Sequence, residues 1–148
     1  MGASAYRHEV GEVYRYSYSK PLRRPLIAFR VSCGFPSPAE DYVEGSLDLA
    51  KFLVKHPMAT FYVRVAGESM TGAGIFPGNL LVVDRAAEVR EGNVVVARIG
   101  DELCIKRFTT VGGRVVLMSE NERFPHIEIG PEMDFEIWGR VLHSIQSF

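Results

Sequence analysis

The sequence predicts a mainly β domain, a compact and partly closed β fold with one short helix and an extended N-terminal arm. Three observations lead there. From Thr60 onward, short runs rich in Val, Ile and aromatic residues recur, separated by turns that carry Gly, Asp or Asn. Only one stretch has the punctuation of a helix. The first 33 residues hold Pro21 and Pro25 and show no sustained helical period.

Taken in order, residues 1–33 form the arm, within which "PLIAFRVS" (25–32) is an extended, strand-like segment. Residues 34–45, with Pro36, Pro38 and Gly45, read as an irregular linker, and residues 46–148 as the β domain. The helix begins with Ser46 as its N-cap and Asp48 in the first turn of "LDLAKFLVKH". Leu49, Phe52 and Leu53 share a face of it, and Pro57 marks its stop. Strands follow at 60–65, 79–84, 93–99, 102–108, 114–118 and 135–145, with hairpin turns in "IGDEL" (99–103) and "TVGGRV" (110–115). Dense short strands with a single helix argue for a partly closed β fold over a βαβ sheet.

Composition narrows the function. At 148 residues, 47% of them hydrophobic and 24% charged, the chain suits one soluble globular domain. It has no apolar run of about 18 residues and no secretory h-region, so neither a membrane anchor nor export is expected. Two cysteines, Cys33 and Cys104, are too few for a disulfide framework and fit a reducing cytoplasm. His8, His56, His126 and His143 are scattered without ligand spacing, so no metal is expected, and no cofactor motif is present. The glycines of "GAGIFPG" (72–78) follow neither the dinucleotide nor the phosphate-loop spacing.

The net charge of −1 conceals an asymmetry. Residues 1–33 carry six basic side chains against two acidic ones, a net +4, which leaves −5 on residues 34–148. A basic arm suits either a nucleic-acid tail or a segment that lies on its own acidic body. The second is favoured, because six charges spread over 33 positions make no compact patch.

One segment invites chemistry: "VRVAGESMTGAGIFPGNLLVVD" (63–84), followed by "CIKRF" (104–108). Ser69 follows a strand, in a turn containing Gly67, where a hydroxyl can project and the backbone amides of Gly67 and Glu68 are candidates to hold an oxyanion. Strand alternation sets Cys104, Lys106 and Phe108 on one face, so Lys106 has apolar neighbours on its own side. Burial disfavours the charged form of a lysine, and a neutral amine beside a serine is a known nucleophile–base pair. On pattern alone the plain reading stands beside this one. A serine in a glycine-rich turn is usually a turn former, and a strand lysine usually meets solvent.

Several segments in register resemble the LexA-like self-cleaving serine peptidases, and most closely their SOS mutagenesis branch. "CGFPSPAEDYVE" (33–44) is similar to the family's cleavage segment, and "DLAKFLVKHPMATFYVRVAGESM" (48–70) to its helix, strand and nucleophile turn. "GIFPGNLLVVDR" (74–85), "GNVVVARIGDELCIKRF" (92–108), "LMSENERFPHIEI" (117–129) and "WGRVLHSI" (138–145) resemble the remaining strands and C-terminal portion. The resemblance implies Ser69 as nucleophile, Lys106 as general base and Cys33–Gly34 as the scissile bond. It also implies a β peptidase fold of the LexA and signal-peptidase type, a homodimer, stimulation by a RecA filament on single-stranded DNA, and a UmuC-type translesion polymerase subunit as partner of the shortened product. Glu68 stands where the family commonly has Asp, and residues 1–24 have no recognised counterpart.

Other readings were weighed against this one. A LexA-type repressor needs a helix-turn-helix domain before the cut, which 33 proline-bearing residues do not provide, so sequence-specific DNA binding is not expected. A signal peptidase needs a membrane anchor. Cys33 as a nucleophile lacks an activating histidine nearby in sequence. A non-enzymatic adaptor with the same fold and a vestigial dyad stays open.

Overall fold

The structure is a computed structural model that describes residues 9–17, 23–27 and 43–148. Part of the expected strand at 25–32, most of the linker and the Cys33–Gly34 bond lie outside the described residues.

The described chain runs β1 (Val10–Arg15), β2 (Arg23–Ile27), β3 (Val43–Asp48), α1 (Leu49–Leu53), β4 (Thr60–Val65), β5 (Leu80–Asp84), β6 (Val94–Ile99), β7 (Glu102–Val111), β8 (Arg114–Met118), β9 (Ile127–Glu128) and β10 (Phe135–Ile145). Eight strands form one curled antiparallel half-barrel in the order β1-β4-β5-β10-β6-β7-β8-β9. The other two, β2 and β3, pair separately. The mainly β expectation therefore holds, and the six strands read from Thr60 onward appear within a few residues of their expected bounds.

Local chemistry explains these strands. The apolar runs of β5 and β6 place Leu81, Val82, Val83, Val95, Val96 and Ala97 at zero exposure, as strands covered on both faces require. Alternate residues of β6 feed two clusters. Val96 joins Val63, Leu81, Val83 and Ile105, while Val95 and Ala97 join Cys104 and Leu117. At the β7–β8 turn Gly112 and Gly113 have φ of 58° and 80°, the left-handed pair that a tight two-residue hairpin demands. Register shifts in β10, between Ile137 and Gly139 against β6 and between Val141 and His143 against β5, accompany the curl of the sheet.

Two expectations need correction. Ser46 does not cap the helix; it lies in β3, opposite Pro25 of β2, and so is extended backbone in a strand pair. Asp48 takes the cap two residues later, its Oδ1 accepting the Lys51 N–H at 3.3 Å. The helix is correspondingly short, and Leu49 and Phe52 stay half exposed. The second correction concerns Val43–Gly45, which belong to β3 rather than to an irregular linker.

No apolar run or turn signal marks β1, the edge strand that lies antiparallel to β4 with Val10 opposite Val65 and Tyr14 opposite Tyr62. It comes from the arm, so part of the arm does lie on the body.

Candidate active site

Strand β4 delivers the serine. It ends at Val65, and residues 66–70 turn back so that Met70 is buried in the core and Ser69 is 3% exposed. The neighbouring loop staples this turn: Glu120 N–H donates to the Ser69 carbonyl at 2.8 Å, and Asn121 Nδ2 donates to the Glu68 carbonyl at 2.9 Å. Gly72 N–H donates to the Glu120 carbonyl at 2.6 Å, which holds the far side of the turn. Thr71, Gly72, Ser119, Glu120, Asn121 and Phe124 border an open cleft of about 630 Å³ beside it.

Strand β7 delivers the lysine. Its first five residues pair with β6 on one side, Val95 opposite Lys106, whereas β8 begins to pair only at Arg107. Because β7 outruns β8, the backbone N–H and C=O of Ile105 point into a gap in the sheet. The Ser69 turn enters that gap. Ser69 Oγ donates to the Ile105 carbonyl at 3.3 Å and accepts from Lys106 Nζ at 2.9 Å. Lys106 is 1% exposed, and Cys104 on its own face is fully buried.

A third group, Glu9, closes the gap from the arm and was not singled out from the sequence. Its Oε1 lies 2.5 Å from Lys106 Nζ, and its Oε2 accepts the Ile105 N–H at 2.9 Å. The Glu9 carbonyl accepts from Ala66 N at 2.8 Å and from Gly67 N at 3.3 Å. Thus the amide of Gly67, named above as an oxyanion candidate, here holds a carbonyl of the arm. Nothing local could have announced a contact between residues 97 apart in sequence.

The structure thus brings together Ser69, Lys106 and Gly67, with Glu68 on the same turn; it does not describe Cys33 or Gly34. Cys104 is a free thiol. Burial pushes its pKa up to about 12, partly opposed by the charge of Lys106 and assisted by Glu9 and Glu102. Iodoacetamide is therefore expected to leave Cys104 unmodified in the native protein and to label it after denaturation, read by intact mass. Among the described residues no three His, Cys, Asp or Glu side chains gather as a metal set. His56 instead pairs with buried Asp84 at 2.5 Å, and His126 Nδ1 accepts the Ser119 N–H at 3.2 Å. No helix among the described residues is long and apolar enough to cross a membrane.

Known proteins place the chain in a family. Residues 25–142 match the Peptidase S24-like family. Protein MucA of Salmonella typhimurium is 43% identical over 122 residues, covering 82% of this chain and 83% of that protein. Protein SamA of Salmonella typhimurium strain LT2 is 39% identical over 126 residues, 83% of this chain and 87% of its own. LexA repressor 1 of Pseudomonas putida is 45% identical over 105 residues, which are 71% of this chain but 51% of the repressor. With a match of this extent and a curled β sheet of the matching kind, the chain belongs to the Peptidase S24-like family, alongside the UmuD-family SOS mutagenesis proteins.

Proposed function

We propose that this protein is a self-cleaving serine peptidase of SOS mutagenesis, in which Ser69 attacks the chain's own Cys33–Gly34 bond with Lys106 as general base. The observation that carries this reading is the 2.9 Å contact between Lys106 Nζ and Ser69 Oγ in a site from which water is excluded.

That contact supports the following steps. A neutral Lys106 amine takes the Ser69 hydroxyl proton as Oγ bonds to the Cys33 carbonyl carbon. The resulting ammonium returns a proton to the Gly34 nitrogen as the C–N bond breaks, leaving Cys33 esterified to Ser69. Water, relieved of a proton by the same amine, hydrolyses the ester and frees the Cys33 carboxylate. Backbone amides of the Gly67–Glu68 turn serve the oxyanion. Tethering gives the substrate segment a high effective concentration, so a shallow cleft suffices.

The wider role is the one that the family resemblance implies. A RecA filament on single-stranded DNA stimulates the cut in the cytoplasm, and the shortened protein, as a homodimer, joins a UmuC-type translesion polymerase subunit. Removing residues 1–33 takes +4 away from a body of −5, which changes the surface offered to partners.

Only the neutral amine accepts a proton, so the self-cleavage rate is expected to rise as pH is raised from 7 to 10, followed by gel or mass spectrometry. In Lys106→Ala both the rate and its slope should vanish. A pH-independent rate, or an undiminished one in Lys106→Ala, would count against the dyad.

A further inference from the structure

The dyad in this structure is shut. Ser69 and Lys106 are 3% and 1% exposed, and Glu9 of the arm packs against both Lys106 and the Ser69 turn. Glu9 enters the gap beside β7 with both carboxylate oxygens engaged, one on Lys106 Nζ and one on the Ile105 N–H. Such a fully satisfied buried pair is stable where an unpaired charge is not. With Nζ donating both to the Glu9 carboxylate and to Ser69 Oγ, the amine is engaged as a donor at the contact where catalysis needs it to accept the serine's proton.

Space is excluded as well. A Cβ built on Gly67 would lie 2.9 Å from Glu9 Cγ and 3.0 Å from Glu9 Cα, so the arm's backbone runs directly against the nucleophile turn. Its carbonyl already occupies the Ala66 and Gly67 amides. Any second strand bringing a scissile carbonyl to Ser69 needs this volume and these amides. Cys33, 24 residues further along the same chain, cannot be there while Glu9 is.

The hold is also light enough to release. Beyond Val10, every residue of β1 is solvent-exposed, Val13 and Tyr14 at 42% and 46%. The strand is kept by its ladder to β4, by Val10 against the core, by Glu9, and at its far end by Arg15 over the Phe61 ring and Tyr16 against Tyr62.

We propose that β1 is a built-in inhibitory strand and Glu9 its latch: the arm occupies the gap beside β7 and ion-pairs the general base, so self-cleavage requires the arm to withdraw. The inference rests on the reading of Ser69 and Lys106 as a self-cleaving dyad, and adds its regulation. The latch lies on the fragment that a cut after Cys33 releases, so cleavage removes the inhibitor together with the arm.

The test is the rate of self-cleavage of the full chain, without any stimulating filament, at neutral pH. Glu9→Gln keeps the shape and removes the charge; it is expected to cut about tenfold faster or more, within the roughly 10²–10⁴ that general-base catalysis supplies. Val13→Pro or Tyr14→Pro attacks the strand without touching the dyad. One of those two positions must lose a ladder bond to β4, and that variant should also cut faster. Ser69→Ala added to Glu9→Gln should abolish the gain. If Glu9→Gln and both proline variants cut at the unmodified rate while Ser69→Ala does not cut, the latch is wrong and the dyad survives. If no variant shows a Ser69-dependent cut, the dyad reading falls and takes the latch with it. Should Glu9→Gln fold poorly, as a lowered melting temperature would show, the proline variants decide.

Discussion

Ser69→Ala is expected to lower self-cleavage by roughly 10³-fold or more while leaving the fold in place. The separation of the two effects comes from the local bonding. Removing the hydroxyl deprives Lys106 Nζ of one partner at 2.9 Å, but the Glu9 carboxylate at 2.5 Å remains. The Ile105 carbonyl loses a weak 3.3 Å bond, whereas the Ile105 N–H keeps its bond to Glu9. The cost to stability is therefore about 1 kcal/mol, a shift of a few degrees in a thermal melt. A large melting shift would mean that the serine is chiefly structural, and an unchanged rate would mean that it is no nucleophile.

Gly72→Ala is expected to harm both stability and activity from a position that no chemical argument would select. A Cβ there would stand 2.4 Å from the Glu120 carbonyl oxygen, a backbone atom that cannot swing aside. The same carbonyl accepts the Gly72 N–H at 2.6 Å, and the Glu120 N–H holds the Ser69 carbonyl. Relieving the clash therefore drags the nucleophile turn away from its loop. Overpacking of this kind costs about 1–3 kcal/mol. A displacement of about 1 Å at the reacting atom reduces rate by roughly 10²-fold. Chemical denaturation and the cleavage rate read the two effects together; an alanine tolerated without either would show that the 71–73 turn is free to move.

The comparison of these two positions shows what the sequence could and could not disclose. Strands β4 to β8 and β10 were legible because apolar runs and Gly turns encode them locally, down to the paired glycines of the β7–β8 hairpin. Alternation also set Lys106 on the side of Cys104, and both are buried. The pairing of Ser69 with Lys106 came from resemblance, since a serine in a turn and a lysine in a strand, 37 residues apart, carry no mark of each other.

What stayed hidden depends on partners distant in the chain. Ser46 looked like a cap, but pairing with β2 drew it into a strand and passed the cap to Asp48. The strand β1 exists because β4 offers it an edge, and Glu9 matters only because β8 stops short and leaves Ile105 and Lys106 open. The glycines of 72–78 read in the sequence only as matching no nucleotide-binding spacing; the Glu120 carbonyl against Gly72 is what makes that one obligatory.

The most direct test of the central claim is the intact mass of the purified full chain after incubation at raised pH, alone and with RecA filaments on single-stranded DNA. The account predicts two products, one ending at Cys33 and one running from Gly34 to Phe148, and neither from Ser69→Ala. A chain that stays whole under both conditions would contradict it and favour the non-enzymatic adaptor; a Ser69-dependent cut at any other bond would contradict the assignment of Cys33–Gly34.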